Sequence, residues 1–313
     1  MASGTAGNIT WNLNESTGVL TLSGSGAMND YSDSFGIAPW RSSSYLSKIT
    51  SVIINEGVTR IGNYAFKGCT KITSVEIPDS VTSIGSYAFN NCYGLASIEI
   101  PGSVTNIEES AFSRCQGLTS LVICDGVTTI GYNAFGSCKP LTSVVIPDSV
   151  TTIEQSAFSS CDTLTSVVIG NGVTTIGQDA FSACTSLASV VIGNSVTTIG
   201  QSAFNQCWSL TSITFLGSKP TINSYSFRLS QSSSTRVTAT VYTKGGWGSD
   251  SVFTSSIRGN YTTFIYEKLV TANVHINVSG TWKESTPYVN VNGEWKEVVG
   301  VYVNVNGTWK EAV

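Results

Sequence analysis

The chain has 313 residues, of which 41% are hydrophobic, so it is long enough to bury a large core. Only 12% of the residues are charged and the net charge is −4, which argues against nucleic-acid binding because that function needs clustered lysine and arginine. No apolar run approaches about 20 residues, which argues against a membrane-spanning helix. The first residues, MASGTAGNITW, lack a basic segment followed by an apolar one, so either the chain has no secretion signal or Met1 stands where a leader was removed.

Residues 8–23 predict the first element, a β-hairpin. The segment reads ITWNLN, then the turn residues ESTG, then VLTLSG, so apolar and polar residues alternate on both sides of the turn. Residues 28–47 are expected to form an irregular first coil in which Trp40 covers the open end of the core. We therefore assign residues 1–48 to an N-terminal cap.

A pattern of 23 residues follows at 49–229 and predicts a solenoid. The copy at 141–161 reads LTSVVIPDSVTTIEQSAFSSC. Its leading segment has apolar residues spaced by two, which indicates a strand, and Pro-Asp-Ser indicates a turn. The pair Ala157-Phe158 predicts a short helical or 3₁₀ turn leading to the next strand. Seven copies are complete and an eighth is degraded, and the stack needs a cap at both ends because one copy cannot bury its own apolar face.

The unit L-x-x-V-x-I-P-x-S-V-T-x-I-x-x-x-A-F-x-x-C resembles the 23-residue, Treponema-type (BspA-like) leucine-rich repeats of bacterial surface proteins. The resemblance covers residues 49 to about 227 and depends on Ala-Phe-x-x-Cys recurring at one spacing in seven copies. It implies a curved, right-handed solenoid, mainly β with short helical turns, whose L-x-x-V-x-I strands form the concave face. It also implies adhesion at a bacterial surface as a tendency of the family, and the N-terminal hairpin is similar to the cap of that family.

Seven of the eight cysteines occupy one position of the repeat, beside the inward phenylalanine. At such a position a cysteine is expected to be a buried, reduced thiol that packs as a small hydrophobe. Disulfide pairing and a metal-binding ladder are the alternatives, although metal sites favour ligands that converge on one point. Cys124 takes the position of a turn proline and is expected to be partly exposed.

Two outward positions of the predicted strands form rows along the solenoid. One row is serine in every copy, and the other reads Ile53, Glu76, Glu99, Val122, Val145, Val168, Val191 and Thr214. Exposed contiguous apolar surface often marks a partner site, although β-branched residues also favour strands for their own sake. The residues assigned to this candidate binding face are Glu76, Ser97, Glu99, Val122, Ser143, Val145, Val168 and Val191.

A third row, of threonines, follows the inward valine of each turn. Threonine ladders can order water on ice-binding proteins, and the alternative is hydroxyl bonding to the backbone. Glu76 and Glu99 lie one repeat apart, about 5 Å on adjacent strands. That distance would suit the two carboxylates of a retaining glycosidase, but a strand ladder offers no pocket for a substrate. The other interpretations are a solvated pair of carboxylates and a weak contact with a cation. With His275 as the only histidine, no catalytic triad can be assembled, and we expect no enzyme and no cofactor.

The C-terminal part divides into two segments. Residues 230–270 hold strand-like VTATVY and TTFIYEKL and are predicted to form a C-terminal cap, with Tyr242 and Trp247 over the last coil. Residues 271–313 contain three related copies, HINVSGTWKE, YVNVNGEWKE and YVNVNGTWKE, which predict three β-hairpins. These copies resemble short Trp-Lys repeats of some phage-tail and Gram-positive surface proteins, and they could support oligomerisation.

These observations predict a non-enzymatic binding protein of a bacterial surface or its secretions, similar to an adhesin. Its ligand would be a host or environmental protein or glycan held on the concave face. The alternative is a receptor-binding component of a phage or prophage tail, favoured by the tail repeats and the missing signal.

Overall fold

The computed structural model describes residues 1–34 and 36–229 with their side chains, and beyond them only the backbone of six strands at 237–243, 262–268, 274–278, 281–285, 301–305 and 308–312. The repeat winds into a parallel-strand solenoid with almost no helix. Each coil adds one long strand, one short strand and a series of turns around a shared core. None of the described residues belongs to a helix that could cross a lipid bilayer.

The long strands form where the repeat alternates between inward apolar and outward residues. Adjacent strands pair in parallel at equivalent repeat positions, as in the pair Val145 and Val168. The bounds of the long strands are Ser51–Ile54, Ser74–Glu76, Ser97–Ile100, Ser120–Ile123, Ser143–Ile146, Ser166–Ile169, Ser189–Ile192 and Ser212–Phe215. The ladder is interrupted twice among these strands, before Ser97–Ile100 and before Ser143–Ile146.

A second row of short strands runs along another side of the solenoid and was not predicted. In the central copy it follows Val150, which is fully buried as expected, and it contains Ile153, which is also fully buried. Two residues are too few to show a period in the sequence, so the strand is recognisable only from its pairing. The nine-stranded sheet comprises Gly26–Ala27, Val58–Ile61, Ser83–Ile84, Asn106–Ile107, Thr129–Ile130, Thr152–Ile153, Thr175–Ile176, Thr198–Ile199 and Thr221–Ile222.

The third side consists of turns, so the helical turn predicted at Ala157-Phe158 was wrong. Backbone N–H groups alternate here between two kinds of acceptor. The N–H of Ser159 donates to the Ser156 carbonyl in the same coil, over 2.9 Å, whereas the N–H of Phe158 donates to Ala180 of the next coil, over 2.8 Å. A helix would direct every N–H within the coil, so bonding between coils replaces it.

Left-handed backbone conformations recur at two positions of these turns. One position precedes the alanine of the repeat, which is replaced by Ser226 in the degraded copy, and the other precedes the cysteine; both have φ between 52° and 73°. Such a conformation costs about 1–2 kcal/mol for a residue other than glycine, and the bonds to the next coil hold it in place. The first position is filled by Tyr64, Tyr87, Ser110, Asn133, Ser156, Asp179, Ser202 and Tyr225, and the second by Gly68, Asn91, Arg114, Ser137, Ser160, Ala183 and Gln206.

A column of stacked phenylalanine rings forms the centre of the core. Consecutive ring centroids are 4.9–5.3 Å apart from Phe66 to Phe227, and the ring planes differ by at most 10°. Trp40 stacks on the first ring at 5.8 Å and donates from Nε1 to the Ala65 carbonyl at 2.8 Å. Trp40 is fully buried, which confirms that it covers the N-terminal end of the core.

The seven repeat cysteines are buried and free, as predicted. Six of them donate a thiol hydrogen bond to the phenylalanine carbonyl of the preceding coil, with Sγ–O distances of 3.2–3.4 Å. In the central copy, Cys161 bonds Phe135 in this way. The cysteine position therefore both fills the core and provides a donor to a buried carbonyl.

The N-terminal cap contains the predicted hairpin and one strand more. Ile9–Asn14 and Val19–Gly24 pair antiparallel, and Ala2–Ala6 adds to the outer edge of the first of these strands. The second hairpin strand pairs in parallel with Ser51–Ile54, so the cap continues the row of long strands. A 3₁₀ turn at Pro39–Arg41 places Trp40 over the core.

At the C-terminal end, two further strands extend the row of long strands. Val237–Thr243 pairs in parallel with Ser212–Phe215, and Thr262–Lys268 pairs with it in turn. The predicted roles of Tyr242 and Trp247 in sealing the last coil lie outside the residues described with side chains.

Two of the three predicted tail hairpins are described. Val274–Val278 pairs with Thr281–Ser285, and Val301–Val305 pairs with Thr308–Ala312, each across a two-residue connection. The middle copy, at 288–297, lies outside the described residues.

Candidate binding face

The predicted binding residues all lie on the outward side of the long strands, which we call the long-strand face. The exposed side chains are Glu76, Ser97, Glu99, Val122, Ser143, Val145 and Val168, whereas Val191 is half-buried. The exposed fraction reaches 62% for Val145, 47% for Val122 and 39% for Val168. These values are large for valine, which is more often buried.

The valine row, defined as Val122, Val145, Val168 and Val191, points outward because of strand geometry. Successive side chains of a strand point to opposite faces, and the residues on either side of Val145 in the repeat, Val144 and Ile146, are buried. Register pairs join the last three members of the row directly. Val122 lies one coil before them, across the gap in the ladder, so the row is an apolar strip on successive coils. Serine accompanies it two residues earlier on each strand.

The strip is bounded at both ends. Thr214 continues the row in sequence and was predicted to point outward like its neighbours, but it is only 4% exposed. Its strand is paired on one side with Ser189–Ile192 and on the other with Val237–Thr243, so the row ends where the C-terminal strands join the sheet. At the other end the row meets Glu99, which pairs with Val122 in register.

Glu76 and Glu99 are both exposed on adjacent coils, but no ladder joins their strands. The strand of Glu76 has three residues where most long strands have four, and Val75 within it is only half-buried. Like charges directly opposite each other on neighbouring strands are destabilising. Repulsion between the two carboxylates disfavours pairing at this point. The ladder also stops between the strands of Val122 and Val145, which carry no charge, so charge alone does not determine where the sheet opens.

Cys124 is partly exposed, as expected, and contacts Glu99 on the preceding coil. Its thiol lies 3.7 Å from Oε1 of that carboxylate. Partial burial, and then the negative charge of Glu99, raise the pKa of the Cys124 thiol. The contact was missed because the two residues are one repeat plus two positions apart, a spacing that only the packed coils reveal.

An acidic edge borders the long-strand face and was not predicted. Glu56, Asp79, Asp125 and Asp148 occupy one position of the turn after the long strand, and all four are exposed. These acidic residues recur at intervals of 23 residues or a multiple of 23, and that recurrence could have predicted the edge. In residues 1–34 and 36–229, the ion pairs involve Glu15, Asp30, Asp33, Glu108 and Asp162, so the edge is not neutralised by them.

The threonine row faces the backbone of the solenoid. The hydroxyl of Thr151 donates to the carbonyl of Thr128 at 3.2 Å, and Thr174 donates to Thr151 at the same distance. The same bond recurs from Thr82 to Thr197. Hydroxyl bonding to the backbone, rather than an ice-binding array, therefore explains this row.

The remaining candidates for chemistry stay separate. His275 lies opposite Glu284 in the first tail hairpin, just as Tyr302 lies opposite Glu311 in the third, which agrees with an aromatic position filled by histidine. Within the described part of the chain, no three histidine, cysteine or acidic side chains are grouped as metal ligands would be.

Comparison with known proteins adds a family and a set of related folds. A family model described as a BspA type leucine rich repeat region matches residues 42–165 and 151–247, with six copies. A leucine-rich repeat protein of T. pallidum is 28% identical, with 67% of this chain and 91% of that one covered and a TM-score of 0.51. A leucine-rich repeat protein from Bacteroides ovatus, 24% identical, has a TM-score of 0.53 with 83% and 77% covered, and it is similar in fold. Among curated protein sequences, nothing matches the chain.

Proposed function

Since the chain belongs to the family of BspA-type leucine-rich repeat proteins, we propose that it is a non-catalytic binding protein of a bacterial surface or its secretions. Its ligand, a host or environmental protein or glycan, contacts the long-strand face. The observation that supports this proposal is the valine row, an apolar strip on successive coils that is left exposed on a surface otherwise rich in serine and threonine. Such strips commonly mark sites of interaction.

In this proposal each segment of the chain has its own role. Residues 49–229 present the binding face, residues 1–48 and 230–270 cap the solenoid, and residues 271–313 attach or oligomerise the protein. The contact residues are those of the predicted set, with Glu76 and Glu99 at the acidic end and the valine row beyond them.

The test is a glycan and matrix-protein array probed with the intact chain and with the double variant Val145→Lys and Val168→Lys. Both side chains are exposed, so the variant should melt at the same temperature while losing at least tenfold in affinity for any array ligand. Gln155→Lys with Gln201→Lys is the matched control, because it adds the same charge at exposed positions outside the long strands. A ligand held equally well by the valine variant would place binding elsewhere.

A phage or prophage tail protein is the second candidate function. It is favoured by the tail hairpins, since the two described copies have the same pairing register, with Asn277 opposite Trp282 and Asn304 opposite Trp309. In that case the solenoid is the receptor-binding tip. Neighbouring tail genes would support this candidate, and a signal peptide in the native reading frame would exclude it.

A further inference from the structure

We propose that the long-strand face receives an amphipathic α-helix of a partner protein, lying across the strands with basic residues at one end. The inference rests on the proposed binding function and adds the chemistry of the partner. The apolar side of the helix packs on the valine row, and its basic end reaches Glu99 and Glu76.

The spacing of the valine row favours a helix as the occupant. Neighbouring coils are about 4.8 Å apart, so each valine follows the last at that interval along the solenoid axis. A helix rises 1.5 Å per residue, so apolar side chains spaced by three or four residues advance by about 4.5–6 Å and meet one coil each. Residues on the same side of an extended strand advance by about 6.6–6.8 Å, which is longer than the spacing between coils, so after two coils they no longer lie opposite the valines.

The charges around the row define which end of the helix is basic. Glu99 adjoins Val122 in register, Glu76 lies one coil further, and Asp125 and Asp148 lie in the turns beside the row. No lysine or arginine occupies the long strands from 51 to 215. The opposite end of the row reaches Thr214, which is buried. Lysine or arginine at one end of the helix would complement this arrangement and accelerate association.

A second copy of the chain fits this surface less well. Within the described residues the chain has one helical element, the three-residue 3₁₀ turn at Pro39–Arg41, so it offers no amphipathic helix there. Helix recognition through apolar residues at i, i+3 or i+4, and i+7 is an established mode of binding between proteins, and it requires a helix from the partner.

The test uses the full chain and a labelled helical peptide of about 18 residues, which is about 27 Å long as a helix. Leucines recur every three or four residues on one side of the peptide, and three lysines occupy one end. One matched peptide has glutamates in place of the lysines, and another has a central proline that breaks the helix. Fluorescence anisotropy should show binding of the first peptide about tenfold tighter than either matched peptide, weakening as salt is added.

Variants of the chain locate the contact. Val145→Lys with Val168→Lys should weaken the peptide at least tenfold, and Glu76→Gln with Glu99→Gln should weaken it about threefold to tenfold and reduce its salt dependence. Gln155→Lys with Gln201→Lys should leave affinity unchanged. Equal binding of the proline peptide, or no effect of the valine variant, overturns the inference.

The array experiment separates this inference from the proposed function. An array ligand that is lost in the valine variant but is not displaced by the helical peptide would refute the helical partner and leave the long-strand face as the binding site. If the valine variant keeps every array ligand, the proposal that the long-strand face binds the ligand is refuted. If the intact chain is a dimer that the valine variant dissociates, a second copy occupies the strip and the helix inference fails.

Discussion

At the scale of the residue, stability is concentrated in the phenylalanine column. Each ring is fully buried, and every ring from Phe66 to Phe204 stacks on two aromatic neighbours. Aromatic pairs of this kind add about 0.5–1.5 kcal/mol beyond the area they bury. Phe158 lies in the middle of the column, 5.2 Å from Phe135 and 5.3 Å from Phe181. A gap at this position therefore affects two neighbours as well as the residue that is lost.

Replacing Phe158 with alanine should lower the free energy of unfolding by about 3–5 kcal/mol, because it leaves a cavity in a closely packed column. Denaturant unfolding measures the loss, and hydrogen exchange should show it concentrated in the coils on either side. Val145→Ala, at an exposed position, is the matched control and should change stability by less than about 0.5 kcal/mol. A cost below about 1 kcal/mol for Phe158→Ala would contradict its inward assignment.

The buried cysteines of the repeat make the stability of the folded chain depend on pH. Burial raises the pKa of the Cys69 thiol to about 12, and it raises the pKa of Cys92 and Cys115 well above the usual range. In the unfolded chain these thiols ionise near pH 8.5. Their contribution to stability is therefore complete below about pH 8.5 and is lost as the pH rises toward the folded-state values.

The free energy of unfolding should accordingly fall above about pH 8.5, by about 1.4 kcal/mol per pH unit for each thiol whose pKa is raised in this way. Denaturant unfolding between pH 8 and about pH 11 measures the slope. The variant Cys92→Ala should show a slope smaller by about one thiol's share, 1.4 kcal/mol per pH unit. Parallel slopes for the two proteins would mean that Cys92 is not a buried neutral thiol in the folded state.

At the scale of the element, the long-strand row has one opening between the coils of Glu76 and Glu99 and another before Ser143–Ile146. At the first opening, the side chains that face each other are both carboxylates. The same position in later coils is valine, and there the ladder from Ser143–Ile146 to Ser189–Ile192 is continuous. Charge repulsion disfavours pairing at the first opening, whereas the second opening lies between the uncharged strands of Val122 and Val145, and the phenylalanine column continues past both.

Glu76→Val should raise the free energy of unfolding by about 0.2–1 kcal/mol, because it removes the like-charge pair and adds a β-branched residue to the strand. Amides of Ser97–Ile100 should exchange more slowly as the ladder closes. Glu56→Gln removes a carboxylate from a turn instead and should change neither quantity. Unchanged exchange in Glu76→Val would show that charge is not what opens the ladder.

At the scale of the whole molecule, the constant repeat length makes the coils interchangeable. Every coil adds the same three hydrogen-bonded sides, so stability is a sum over coils and their contacts, as in other repeat proteins. Trp40 and the parallel strand Val19–Gly24 close one end, and Val237–Thr243 extends the other. A whole coil can therefore be removed in principle without exposing a new face.

Deleting residues 143–165, one complete repeat, should leave a shorter solenoid that unfolds cooperatively with a similar circular dichroism spectrum. Phe135 would then stack on Phe181, because both occupy the same repeat position. Deleting one residue fewer, 143–164, shifts every later strand by one position and would turn its buried side chains outward. That protein should lose cooperative unfolding, and equal stability of the two deletions would contradict a common register.

The parts of this protein that repeat could be predicted from the order of its amino acids alone. Its period of 23 identified the coil, and the apolar positions within one copy identified the core, because side chains of the same chemistry at the same interval must stack on one another. The buried cysteines, the capping Trp40 and the exposed valine row followed from that same pattern.

The arrangement between coils and at the ends of the solenoid could be recognised only in the folded chain. The short strands, the turns that replaced the expected helix, the opening beside Glu76, the contact of Cys124 with Glu99 and the burial of Thr214 all depend on groups from different coils. A single copy of the repeat contains no information on which backbone groups its neighbours offer. Hydrogen bonding and charge act across coils, over separations that the local pattern of the chain does not record.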